Sequence, residues 1–464
     1  MGGTLFAQTP VLTLEECRHL ATTATTRQQI DQETSLAAKY NRRAAFARFF
    51  PQVSANGAYM YNSRHIHLLP ETMSTGFGAL GVNGLQFNNP MMQVLGAAMP
   101  DVTQAVNDVT GGLYRNAYNH LDIDMTHVLV GQVGVVQPIY VGGRIREFYR
   151  LSKYIERMAQ IKAAKSIADA THDVDEAYWR VVSVKHKQQL AKQYTALLNT
   201  LMTNIEEAAK EGVATQADVL NVRVKLSEAE SSLLQANDGL ILSKMALCQI
   251  VGMPLDSYFD VDDTGLENIV LNDTAINVHD AIERRDEIQL LEQMKQMAKS
   301  GVRLAAAGLQ PNIIAAANYI VTNPNVTDGF KKDFAGFFNA GIVVNIPIAH
   351  ASDILTYKAA KHQAKTVELR LQEAKEKLEL QITQSSQKVM EANHKLLRAQ
   401  TNIKHTEENL RYAQESYDEG VITAADLMAA QTAWHKAQSE KIDAAIELRM
   451  AELNYKKYTG QLLN

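Results

Sequence analysis

Two acid-bearing glycine turns are the segments of this sequence best equipped for chemistry. EGVATQADVL sets Gly212, Thr215 and Asp218 at the same spacing as Gly420, Thr423 and Asp426 in EGVITAADLM. A glycine followed by Thr and, three residues on, Asp is a helix stop with a capping-box restart, Asp standing in for Glu or Gln. A carboxylate there is favoured by the helix dipole, and it can cap the helix, attract cations, or do both. Tyr417 precedes the second turn and Ile422 lies within it. Elsewhere candidates are few. His65, His67, Met73, Met91, Met92 and Met99 supply soft donors in one loop, although methionines also fill irregular surface packing. Asp260, Asp262, Thr264 and Gly265 open like a calcium loop, but Leu271 stands where the bidentate Glu belongs, and the match fails. Cys17 and Cys248 have neither CxxC nor zinc-ligand spacing. HExxH, Walker and GxSxG patterns are absent. The expectation is no enzyme, no cofactor and no metal.

The elements that position these turns follow from composition and periodicity. A chain of 464 residues holds about three ordinary domains, or one architecture of unusually long elements. With 46% hydrophobic and 21% charged residues and only 10 Pro, disorder and Pro-rich linkers are excluded. The net charge of −5 and pI near 6.2 provide no global basic surface for nucleic acid. No run of 18 apolar residues marks a transmembrane helix, which leaves a β-barrel open. The opening MGGTLFAQTP fits either the tail of a clipped signal peptide or an unstructured start.

An internal repeat organises the chain. Gly212 and Gly420 lie 208 residues apart, as do Gly252 and Gly460. Pro138 in QPIYVGGRI matches Pro347 in NIPIAHASDI at 209, and Lys39, Arg43 and Pro51 match Lys299, Arg303 and Pro311 at 260. The jump in separation means that the first copy carries an insertion. The expected organisation is a first repeat over 1–252 with a long inserted loop at 62–126, a connecting module or belt over 253–277, and a second repeat over 278–464.

Ile145–Glu211 and Ile348–Glu419 contain neither Pro nor Gly. As helices they would be roughly 100 Å long. Ala392, Leu396, Ala399, Ile403, Thr406, Leu410, Ala413 and Tyr417 step by 4 and 3, as do Ala191, Thr195, Leu198, Met202, Ile205 and Ala209. These are coiled-coil seams. Shorter helices, Val213–Val251 and Val421–Thr459, return from the glycine turns, and Leu14–Phe49 and Val278–Leu309 are placed to stack end to end with them.

Strand character precedes each rod. Val53, Ala55, Gly57, Tyr59 and Tyr61 form one alternating set; Ile313, Ala315, Ala317 and Tyr319 a second; Phe338, Ala340, Ile342, Val344 and Ile346 a third. Leu129–Gln137 is a less regular fourth. Strands of about ten residues with tyrosines near one end suit a tilted membrane span, but closed barrels need about eight strands. Other copies of the chain must supply the rest.

FPQVSANGAYMY, QPIYVGGR before a long helix, the two Gly-x-x-Thr-x-x-Asp turns and the duplication together resemble the TolC-like outer membrane efflux proteins over nearly the whole chain. The resemblance implies a homotrimer in the outer membrane of a Gram-negative bacterium. Its fold is a 12-stranded β-barrel, four strands per chain, continuous with an α-barrel of coiled-coil helices that crosses the periplasm. It implies a passive exit duct for efflux or type I secretion, docked on a periplasmic adaptor and an inner-membrane transporter. Asp218, Tyr417 and Asp426 take aperture positions, while Ile422 falls where the family's arginine stands and Ala429 where a second ring carboxylate stands. A hydrophobic or hydrogen-bonded closure then replaces a salt-bridged lock. Gly212, Thr215, Gly420 and Thr423 take the adaptor-docking turns. Two other readings of the residues are a soluble coiled-coil scaffold and a helical pore-forming toxin.

Overall fold

The computed structural model describes residues 10–23, 25–63, 126–266, 277–328, 331–348 and 351–462. In chain order these form β1 (Val11–Leu12), α1 (Leu14–Thr23), α2 (Thr26–Ala47), β2 (Gln52–Tyr61), β3 (His127–Val141), α3 (Arg144–Lys210) and α4 (Gln216–Val251). After them come β4 (Asp260–Val261), a 3-10 turn (Thr264–Leu266), α5 (Val278–Arg284), α6 (Asp286–Ala307), β5 (Asn312–Asn323), β6 (Ala335–Asn345), α7 (Ala351–Asp418) and α8 (Ala424–Thr459). The long rods are real: α3 has 67 residues and α7 has 68. The inserted-loop donors His65, His67, Met73, Met91, Met92 and Met99, and Leu271 of the connector, lie outside the described residues.

The expected helices Leu14–Phe49 and Val278–Leu309 are each two helices. The first is interrupted at Thr25 and the second at Arg285, whose extended backbone (φ −65, ψ 133) ends α5. The interruptions lie 260 residues apart, the repeat separation of this part of the chain.

Two units divide the chain: residues 1–35, 159–291 and 371–464 form one, and residues 36–158 and 292–370 the other. The first unit is helical. The seam residues Ala191, Leu198, Met202, Ile205, Ala392, Leu396 and Ile403 are all buried, as the 3.5-residue period requires. α1 packs on α4 and α5 on α8. A feature without an alternating signature joins the start of the chain to the connector: β1 pairs in parallel with β4, Val11 opposite Asp260 and Leu12 opposite Val261. Tyr178 of α3 pins both, its hydroxyl donating to the carbonyls of Asp262 at 2.6 Å and Leu12 at 3.2 Å. Arg18 clamps the buried Asp175 carboxylate through Nε at 2.7 Å and Nη2 at 2.6 Å. Cys17 and Cys248 are free thiols in this core, and burial pushes Cys17 up to about 11.

The second unit carries an antiparallel sheet in the order β2-β3-β5-β6. β3 exceeds the expected Leu129–Gln137, because a register shift at Pro138/Tyr140 lets pairing continue to Val141. Phe148 and Leu151 of α3 pack with Met297 and Leu304 of α6 beside it. There the buried Glu147 carboxylate accepts from Arg150 at 2.7 Å and Arg303 at 3.0 Å.

Candidate functional site

Each glycine turn is built by the same hydrogen bonds. The last turn of α3 closes with Gly212 N–H donating to Ala209 O at 3.2 Å and Val213 N–H to Ala208 O at 2.9 Å. The end of α7 repeats this with Gly420 to Tyr417 O at 2.9 Å and Val421 to Ser416 O at 2.8 Å. This six-to-one, five-to-two pattern is a Schellman stop, and it places Gly212 (φ 76) and Gly420 (φ 74) in the left-handed region that glycine enters without a Cβ penalty.

The restart is a reciprocal cap. Asp218 Oδ2 accepts from Thr215 N–H at 3.1 Å and from Thr215 Oγ1 at 2.6 Å, while Asp218 N–H donates to Thr215 Oγ1 at 3.2 Å. Thr423 and Asp426 reproduce all three bonds at the same lengths. Those bonds hold both carboxyls below the ordinary carboxylate value, the threonine hydroxyl contributing most and the backbone N–H next.

Beneath the turns the two hairpins share one core of Leu201, Met202, Ile205, Val219, Val222, Ala424 and Leu427, with Tyr417 half-buried against it. Burial raises the Tyr417 hydroxyl, and the charges of Asp418 and then Asp218 raise it further. Tyr417 and Asp218 are therefore electrostatic neighbours across the two hairpins. Ile422 is half-buried and outside that core. The structure adds Val213 and Val421, 81% and 72% exposed, at equivalent places in the two turns. Their repetition in EGV was the available sign. Among the described residues no group of three or more His, Cys, Asp or Glu is placed to hold a metal.

The sheet supplies a second functional surface. One face carries Val53, Tyr59 and Tyr61 of β2, Leu129 and Val133 of β3, Tyr319 of β5, and Phe338, Ile342 and Val344 of β6, all exposed. The opposite face holds amides: Gln132 Nε2 donates to Asn318 Oδ1 at 2.8 Å, and Asn318 Nδ2 to Asn339 Oδ1 at 3.3 Å. An exposed apolar face on a two-edged sheet is the arrangement of a strand set that faces lipid. Among the described residues no helix is long and apolar enough to cross a membrane.

A family model described as outer membrane efflux protein matches residues 97–253 and 277–461. The chain belongs to the outer membrane efflux protein family. It is thus an outer-membrane protein of a family of channels rather than enzymes, and the two matched segments fit the internal duplication.

Solved structures carry the same fold. The Campylobacter jejuni outer membrane channel CmeC superposes with a TM-score of 0.75 at 13% identity, covering 97% of this chain and 85% of that one. CusC, a transmembrane channel, gives 0.74 at 11% identity with 96% and 91% covered. The outer membrane protein VceC of Vibrio cholerae gives 0.71 at 13% identity with 96% of each covered. No curated protein matches. Such channels combine a helical barrel with a β-barrel, and channels of the outer membrane efflux protein family are homotrimers that work with adaptor and inner-membrane pump proteins.

Proposed function

We propose that this outer membrane efflux protein is one third of a passive exit duct, which takes cargo from an inner-membrane pump and its periplasmic adaptor and releases it outside. Efflux of small molecules and type I secretion of proteins are both within this reading. The observation that carries it is the sheet: one face is apolar and exposed, and among the described residues β2 and β6 are open edges. A sheet with bare edges and an apolar skin is unstable in water, and three copies in lipid remove both defects. That skin argues against a soluble coiled-coil scaffold.

The hairpin turns take the periplasmic aperture, with Asp218, Tyr417 and Asp426 around it, and Gly212, Thr215, Gly420 and Thr423 form the surface that an adaptor meets. With Ile422 in place of a cation, closure is apolar, and exposed Val213 and Val421 extend that apolar rim. Planar-bilayer recording on the detergent-solubilised protein tests the reading: stepwise conductance from a trimer is expected. A monomer that stays monodisperse without detergent and conducts nothing would refute it.

A further inference from the structure

The repeat fixes more than the order of the elements. Adding 260 to each β2 residue number and 209 to each β3 number converts the β2–β3 ladder into the β5–β6 ladder without error. Gln52–Val136 becomes Asn312–Asn345, Gly57–Gly131 becomes Ala317–Ala340, and Tyr61–His127 becomes Val321–Gly336; all three are observed pairs. The seven pairs between them convert equally well. These shifts are the separations of Pro51 from Pro311 and of Pro138 from Pro347, so the sequence repeat and the sheet register are one symmetry.

The β3–β5 ladder is the junction where the second strand of one copy meets the first strand of the next copy. In a ring of chains the same junction recurs where β6 of one chain meets β2 of another, which leaves no open edge. Applying the same shifts, Val136–Ala316 becomes Asn345 with Asn56, Val133–Tyr319 becomes Ile342 with Tyr59, and Val130–Thr322 becomes Asn339 with Asn62.

We infer that β6 pairs antiparallel with β2 of a second copy of this chain in this register: Asn345 opposite the partner's Asn56, Ile342 opposite the partner's Tyr59, and Asn339 opposite the partner's Asn62. The inference rests on the trimeric reading proposed above and specifies its interface. One consequence of the arithmetic and one observation outside it bear on this register. The register sets amide face against amide face and apolar face against apolar face, whereas a slip of one residue would turn every side chain to the wrong side. It also brings an amide opposite Asn339 on the open edge, where Asn339 Nδ2 is buried without a hydrogen-bond partner among the described residues of the single chain.

Paired cysteines test the register. The full chain carrying Asn345→Cys and Asn56→Cys, oxidised in detergent with diamide, should form a reductant-sensitive covalent trimer. It should do so about tenfold faster than Asn345→Cys with Ser54→Cys or with Ala58→Cys, because directly opposed residues lie within disulfide reach and slipped ones about 7–8 Å apart. Single-cysteine variants, which keep the buried Cys17 and Cys248, are the controls. Ile342→Cys with Tyr59→Cys reads the same register from the other face and replaces the first pair if that variant does not fold. Faster linkage of a slipped pair, or a trimer in which neither opposed pair links, overturns the register and leaves the trimer standing. A chain that is monomeric by light scattering and links at no pair overturns the trimeric reading itself.

Discussion

The side-chain amide of Asn318 fills the space in front of Gly134: a Cβ at position 134 would lie 2.3 Å from Asn318 Oδ1. Asn318 cannot simply withdraw, since it accepts from Gln132 and donates to Asn339 on the strands at either side. Gly134→Ala should therefore cost about 1–3 kcal/mol, the usual range for overpacking. A heat-dependent mobility shift of the folded protein on gels reads this directly. Asn318→Ala in the same chain should recover part of the loss, since coupled neighbours are not additive. Additive losses would mean that the two positions do not share this space.

The paired caps give the helical hairpins an acid-sensitive element. Asp218 and Asp426 have folded pKa values below the ordinary 3.8. Their stabilisation is thus fully present above about 3.8 and is lost as pH falls through the lower folded values. Thr215→Ala with Thr423→Ala should cost about 1 kcal/mol per site at neutral pH. It should also flatten the fall in melting temperature as pH drops below about 3.8 relative to the parent. Parallel curves for parent and variant would show that the caps contribute nothing to acid sensitivity.

Most of what positions these sites was readable because it repeats or alternates. Glycine stops at Gly212 and Gly420, seam residues such as Leu198 and Ile403, and the strand sets around Tyr59 and Phe338 each carry a local period or a special backbone demand. The breaks at Thr25 and Arg285 were not readable, because neither Gly nor Pro marks them. The β1–β4 pair was equally silent: two residues per strand cannot display alternation, and Val11 near the start of the first repeat meets Asp260 in the connector that follows it. Of the aperture candidates, the sequence located Tyr417 and Asp218 but not their proximity, which depends on how the two hairpins share a core.

That proximity is testable. Tyr417 should ionise above 10, since burial is the largest cause and the charges of Asp418 and Asp218 add to it. Asp218→Asn should bring the midpoint down while leaving it above 10. Labelled tyrosine followed by NMR, with Tyr417→Phe to assign the signal, supplies the measurement. No change on Asp218→Asn would separate the two residues.

Asp426 offers a way to divide capping from gating. If its carboxylate lines the narrow end of the duct, Asp426→Ala should weaken cation selectivity and block by multivalent cations in bilayer recordings, because a focused negative charge is lost. The substitution also removes an acceptor for Thr423 N–H and Oγ1, so a loosened turn alone could alter conductance. Thr423→Ala separates the effects, for it breaks the reciprocal cap and keeps the charge. A gate predicts that selectivity falls in Asp426→Ala and persists in Thr423→Ala. Equal losses in both variants would assign the effect to turn geometry, and unchanged selectivity in both would remove Asp426 from the aperture and leave its role as a helix cap.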